Sequence, residues 1–276
     1  ARLALERSPC PGSILSGLES LERALAALAL LEIGIKERSL AALKAAGKHG
    51  DRVVMEELID LVEGKDSDLA KLCLRAISGL EPPASAGKHR LEKIALARSE
   101  ELGPLDTKLR GVLKLTTPSV ARLEVERLVA SRIEKARIPE LKAALIVYLG
   151  LCRNDDYFGL LRSTYETTGA KQVRLAILAA AGNLGIKAGE FLLGELSRPG
   201  NGPETRRSCV HSLGATRYKL AAPVLVGLLT DPSLKRDAAR ALRRISGQDL
   251  GEKEASWLRW WRAQAEAGPE AQEVVE

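Results

Sequence analysis

The sequence predicts an all-α protein: an α-solenoid of about seven stacked antiparallel helix pairs behind an N-terminal capping helix. Three observations predict it. Apolar residues recur three and four apart through most of the chain, the mark of amphipathic helices. Two Phe, four Tyr and three Trp among 276 residues, beside abundant Ala, Leu, Arg and Glu, disfavour sandwiches and barrels. A unit of about thirty residues recurs, as solenoids require.

The clearest copies begin at Glu140, Gln172 and Glu204. Sliding the chain by thirty-two places superimposes Leu141, Val173 and Thr205, then Ile146, Leu178 and Val210, then Leu149, Ala181 and Leu213, and Gly150, Gly182 and Gly214. The same slide pairs Leu160 with Leu192 and Val224, and Leu161 with Leu193 and Leu225, so both helices of the unit are expected to repeat together. Gly150, Gly169, Gly185, Arg198 to Pro203 and Asp231-Pro232 punctuate the helices. A single such hairpin exposes too much apolar surface to be stable, so it must share a continuous core with its neighbours.

The N-terminal half repeats less regularly. Residues 14–33 read as a capping helix within a first segment, 1–35. Divergent pairs follow over 36–64, 67–102 and 105–138. The first turns at Gly47 to Gly50, the second connects through Glu81-Pro82-Pro83 to Gly87, and the third is interrupted at Thr116-Thr117-Pro118. Regular repeats fill 139–262, and 263–276 reads as an acidic, flexible tail.

The segment DPSLKRDAARAL, from Asp231 to Leu242, resembles the HEAT repeat family, particularly the bacterial type also seen in the phycobilisome-lyase class. The resemblance extends over residues 36–262 and is strongest after Glu140. ISGQDLGEKEASWLRWW, from Ile245 to Trp261, is similar to an ending that recurs in bacterial HEAT proteins. The resemblance implies a right-handed superhelix with first helices on its convex side and second helices on its concave, partner-binding side. It also implies that Lys142, Arg174, Arg206 and Lys235, at equivalent positions, hydrogen-bond carbonyls, and that Asp231 is an acid between layers.

Chemistry finds little support in the sequence. Cys10, Cys73, Cys152 and Cys209 have no metal-ligand spacing and read as core thiols. His49, His89 and His211 fall in different units with no paired nucleophile, and phosphate-binding glycine loops are absent. His211, one turn from Arg207, reads as a solvated imidazole. The expectation is a non-enzyme without catalytic, metal or cofactor site. The longest apolar run, near Ala24 to Leu31, falls far short of the roughly 20 residues a membrane span needs. A start at Ala1 leaves the compartment open between cytoplasm and, after signal-peptide removal, periplasm.

The net charge of +6 is unevenly placed: residues 204–262 hold twelve Lys or Arg against six Asp or Glu, and 263–276 hold four Glu and no base. Arg236, Arg240, Arg243 and Arg244 share one helix stripe opposite Leu234, Ala238, Ala241, Leu242 and Ile245. That stripe is either an ordinary solvated face or a site for an acidic partner, and the acidic tail is a further candidate to screen it. Trp257, Trp260 and Trp261 share one face of the last helix and read as a seal on the core end, with Trp260 a candidate partner anchor. Tyr157 and Phe158, beside Asp155 and Asp156 on a second helix, read as core filling or as the edge of the concave groove. The leading expectation is a scaffold or adaptor that binds another protein. The alternatives are nucleic-acid binding through the basic C-terminal surface and, implied by the resemblance, a lyase- or chaperone-type subunit handling a tetrapyrrole.

Overall fold

The computed structural model describes residues 25–48, 52–81 and 118–266. Among them are thirteen α-helices, four single-turn 3-10 helices and no strand. None of these helices is long and apolar enough to cross a membrane. Two compact units divide the chain, Ala1–Tyr148 and Leu149–Glu276.

In the first unit α1 spans 25–36, α2 Leu40–Lys48, α3 Arg52–Val62, α4 Ser67–Ser78 and α5 Pro118–Lys135. α2, α3 and α4 pack on one another, and α5 packs on α3. Leu43, Val54, Leu58, Ile59, Cys73 and Ile77 supply their buried contacts. Asp66 fixes the start of α4 by accepting hydrogen bonds from the backbone N–H groups of Asp68 and Leu69, two of the donors a helix start leaves unpaired. The Leu69 amide and the Arg38 guanidinium, 2.7 Å away, hold its carboxyl below the usual carboxylate range. Arg132 of α5 lies 2.9 Å from Asp60 and 3.2 Å from Glu56 on α3. Where a turn was expected from Gly47 to Gly50, α2 instead runs on through Gly47 and Lys48, and residues 49 and 50 lie outside the described residues. The Pro82-Pro83 connection, residues 105–117, Cys10, His49 and His89 also lie outside them.

α6, Pro139–Leu151, carries the chain from one unit into the other. The second unit continues with α7 Phe158–Thr167, α8 Lys171–Ala181, α9 Gly189–Ser197, α10 Pro203–Thr216, α11 Ala222–Gly227, α12 Lys235–Ser246 and α13 Glu254–Glu266. The last helix thus continues four residues past 262, into the segment read as tail. Single 3-10 turns at Asp155–Tyr157, Ile186–Ala188 and Lys219–Ala221 lead into α7, α9 and α11.

Packing in this unit follows the repeat. The first helices α8, α10 and α12 pack in succession, each second helix packs on the next first helix, and α13 packs on α11. The glycines explain how closely the first helices approach. A Cβ at Gly150 would stand 2.6 Å from the Cα of Ala180, one at Gly182 3.0 Å from the Cα of Ser212, and one at Gly214 2.8 Å from the Cα of Ala241. Ser212 Oγ also donates a hydrogen bond to the Leu178 carbonyl at 2.8 Å, tying α10 to α8. The thirty-two-residue register of the first helices therefore corresponds to one packing device used three times.

The second helices depart from that register. Their fully buried leucines are Leu161, Leu192 and Leu225, whereas Leu160 and Leu193 are half-buried and Val224 is exposed. The slide paired Leu161 with Leu193, so it is off by one residue there. The cause is a turn of unequal length. Arg153, Gly185 and Arg217, thirty-two apart, all take positive φ at 55°, 80° and 53°. The 3-10 turns then begin two residues later at Asp155 and Lys219 but one residue later at Ile186. Deleting one turn residue rotates the following helix by about 100°, and the apolar residue one place earlier then takes the core position.

Candidate functional site

α12 begins where Asp231 and Pro232 end the preceding segment. The Asp231 carboxylate accepts from the backbone N–H and hydroxyl of Ser233, which together hold its carboxyl below the usual range. The helix closes at Gly247, whose φ of 73° suits glycine and whose N–H donates to the Arg243 carbonyl. Leu234, Ala238, Ala241, Leu242 and Ile245 are buried, and Arg236, Arg240, Arg243 and Arg244 are exposed. The two faces read from the sequence are thus present. Arg243 and Arg244 in the last turn also face the negative end of the helix dipole.

The four arginines do not share one environment. Arg243 Nη1 lies 2.8 Å from Asp249, and Arg240 Nη1 lies 3.8 Å from Asp237 on its own helix. Arg236 and Arg244 form no ion pair with the described residues. A hollow of about 270 Å³ opens on this face, walled by Arg236, Arg240, Arg243, Asp249 and Glu252. Glu252 also lies 3.5 Å from Lys235.

Inward of this face, α10 grips α12 through a charge cluster. Arg207 Nε lies 3.1 Å and His211 Nε2 3.2 Å from the carboxylate of Asp237, whose side chain is only 17% exposed. Arg207 also donates to the Ser233 carbonyl. His211 is therefore not a lone solvated imidazole, because the partner that changes its surroundings comes from a helix twenty-six residues onward.

Three of the four positions of the predicted basic ladder have different partners. Arg206 of α10 lies 3.4 Å from Asp231, which precedes α12. Lys235 faces Glu252 instead of a carbonyl, and Arg174 stacks over the Tyr165 ring at 4.3 Å. Arg174 Nε is buried without a hydrogen-bond partner.

Tyr157 lies in the 3-10 turn ahead of α7, a correction to its expected place on the helix, and Phe158 opens that helix. Both are half-buried. Phe158 meets Phe191 edge-on at 5.9 Å, and Tyr165 meets the same ring at 5.1 Å. Phe191 was not singled out in the sequence, because nothing local links it to Phe158 thirty-three residues earlier. These rings join α7 to α9 and leave Phe158 little free surface.

Beneath them Tyr165 donates a hydrogen bond to buried Glu195 at 2.6 Å, and Asn201 donates to the same carboxylate at 3.1 Å. Arg198 completes the set at 2.9 Å. Burial, then the Glu195 carboxylate, push the Tyr165 hydroxyl up to about 12, and the same two causes push the Cys209 thiol up to about 12. Because the Tyr165 value is raised in the fold, its stabilisation is complete below pH 10 and is lost as pH climbs toward 12. Tyr165→Phe is expected to cost about 1–3 kcal/mol in urea unfolding at neutral pH, since a buried carboxylate loses a donor, and to flatten the alkaline loss of stability.

Cys73, Cys152 and Cys209 are buried. Burial, then Glu57, raise Cys73 to about 11. Neither Cys73 nor Cys209 supplies a thiolate at neutral pH. Alkylation read by peptide mass spectrometry is expected to spare all three in the native protein and label them only in denaturant.

At the end of the chain Trp257 is fully buried and its Nε1–H donates to the Gly251 carbonyl at 2.8 Å. Trp260 packs edge-on against it at 5.7 Å and Trp261 follows at 6.1 Å from Trp260. Trp260 and Trp261 keep part of their surface exposed. The seal is thus mainly Trp257, and Trp260 presents a half-open edge. No protein-family model matches this chain, and no curated protein matches it.

Proposed function

We propose that this chain is a HEAT-type solenoid scaffold that binds another protein and performs no chemistry of its own. The observation that carries the reading is the repeated approach of first helices at Gly150, Gly182 and Gly214. A helix stack of this kind spends its apolar residues on neighbouring layers and leaves a long polar surface, made of the outer faces of successive helices, for recognition. The protonated Cys209 thiol, the Glu195 carboxylate occupied by three donors and the paired His211 fit packing roles better than catalytic ones. Right-handed winding and a partner on the second-helix side belong to the same proposal.

The test is affinity purification of the cross-linked chain from its own cells, with a triple variant as comparison. Arg162→Ala, Glu166→Ala and Glu190→Ala alter exposed second-helix positions on α7 and α9 without touching the core. A protein retained by the native chain and lost from the variant supports the reading. A chain that stays solitary at high concentration, with no protein distinguishing the two forms, overturns it.

A further inference from the structure

The repeat itself says what the outer face of α12 is suited to hold. Gly182 meets Ser212 and Gly214 meets Ala241, so Ser212 on α10 and Ala241 on α12 are equivalent positions, twenty-nine residues apart. The same offset relates Arg206 to Lys235, Arg207 to Arg236 and His211 to Arg240. Arg207 and His211 are the two side chains that grip Asp237 on the neighbouring helix. Arg236 and Arg240 thus occupy, on α12, the places from which α10 holds a carboxylate of the helix beyond it.

Gly214, by the same offset, corresponds to Arg243. Where earlier layers have a glycine that admits the next first helix within contact of its backbone, α12 carries a guanidinium held by Asp249 at 2.8 Å. Another repeat in the same close geometry would collide with it. The face therefore keeps the carboxylate-gripping pair while refusing a further closely packed layer, and the hollow of about 270 Å³ lies between these groups.

We propose that the outer face of α12 docks an acidic helix of a partner protein, with Arg236 and Arg240 holding one of its carboxylates as Arg207 and His211 hold Asp237. This rests on the scaffold reading and names the chemistry of one of its partners. Mixed charge favours a protein over nucleic acid. Asp249 and Glu252 wall the same hollow, and Asp237 stands 3.8 Å from Arg240. A uniformly anionic phosphate backbone meets Asp249 and Glu252 together, whereas a helix can set its own bases against them.

The probe is a labelled alanine-rich helical peptide of about twenty residues, with Glu at i, i+4 along one face and Lys on the flanking positions. Its Gln-for-Glu counterpart and a DNA duplex of similar length are measured beside it by fluorescence anisotropy in about 0.15 M salt. The Glu peptide is expected to bind, its Gln counterpart not to bind, and the Arg236→Gln/Arg240→Gln variant to weaken the Glu peptide by about tenfold or more. Lys71→Gln, an exposed base on α4, is expected to leave binding unchanged. Equal peptide binding by native and double-variant chains, or no peptide binding at all, overturns the proposal. Tighter binding of the duplex, lost in the same double variant, overturns it in favour of nucleic acid. The Arg162/Glu166/Glu190 purification contrast is independent of α12, so the scaffold reading can survive failure here.

Discussion

Trp257→Ala is expected to lower the stability of the Leu149–Glu276 unit by about 3–5 kcal/mol, the range for removing a fully buried aromatic side chain. Two effects combine. α13 packs on α11, and removing the fully buried indole leaves a cavity in that unit's core. The Gly251 carbonyl also loses the indole N–H that now donates to it at 2.8 Å. Thermal denaturation followed by circular dichroism is expected to show the midpoint about 10 °C lower or more. Trp257→Phe should recover most of the packing but not the hydrogen bond. Trp260→Ala should cost much less, because that ring is already partly in water. If Trp257→Ala and Trp260→Ala cost the same, the two rings do not divide the work as the structure has it.

Gly150→Ala is expected to destabilise the same unit by about 2–3 kcal/mol, and its sign is the informative part. In a helix interior alanine is normally better than glycine by about 1 kcal/mol. At Gly150 the new methyl would stand 2.6 Å from both Cα and Cβ of Ala180, and a backbone atom cannot swing aside as a side chain can. The backbone around Gly150 and Ala180 must separate, loosening the packing at that approach. Gly194 provides the opposite case. It lies within α9, is exposed, and has nothing within 4 Å of a built Cβ. Gly194→Ala should therefore stabilise by up to about 1 kcal/mol. Urea unfolding of the two variants should move in opposite directions. A stabilising Gly150→Ala would contradict the helix approach on which the repeat packing depends.

These two glycines also show where sequence reading succeeds. Gly150, Gly182 and Gly214 align under a single slide because each serves the same contact, and a contact repeated in space requires a residue repeated in sequence. The first helices were legible to the residue for that reason: Leu141, Ile146 and Leu149 and most of their equivalents are buried. The second helices were legible only as helices. One residue missing between Gly185 and Ile186 turns α9 so that Leu192, not Leu193, reaches the core. A slide of fixed length averages over that deletion, whereas the buried face follows it.

The arginine face illustrates the same division at the candidate site. Spacing alone put Arg236, Arg240, Arg243 and Arg244 on one stripe opposite an apolar one, and the exposed and buried residues of α12 agree. Spacing said nothing of Asp249 reaching back to Arg243, of Asp237 turning under Arg207 and His211, or of Glu252 standing at the hollow's edge. Asp249 and Glu252 come from the loop after Gly247, and Asp237, though on α12, meets side chains of α10, so each distance depends on how separate segments pack. His211 and Tyr157 were misread for the same reason: each was judged by its sequence neighbours.

By itself the sequence determined the helical class, most of the breaks between helices of the second unit, and which side of each first helix is apolar. These follow from local periodicity and from Gly and Pro at the breaks, so they need no knowledge of distant residues. Only the tertiary structure decided which glycines are contacts and which are open, which arginines already have acids, and that Glu195 is enclosed by Tyr165, Asn201 and Arg198. The physical reason is range. Periodicity is a property of a few consecutive residues, whereas a collision or an ion pair is a distance between segments that only packing brings together.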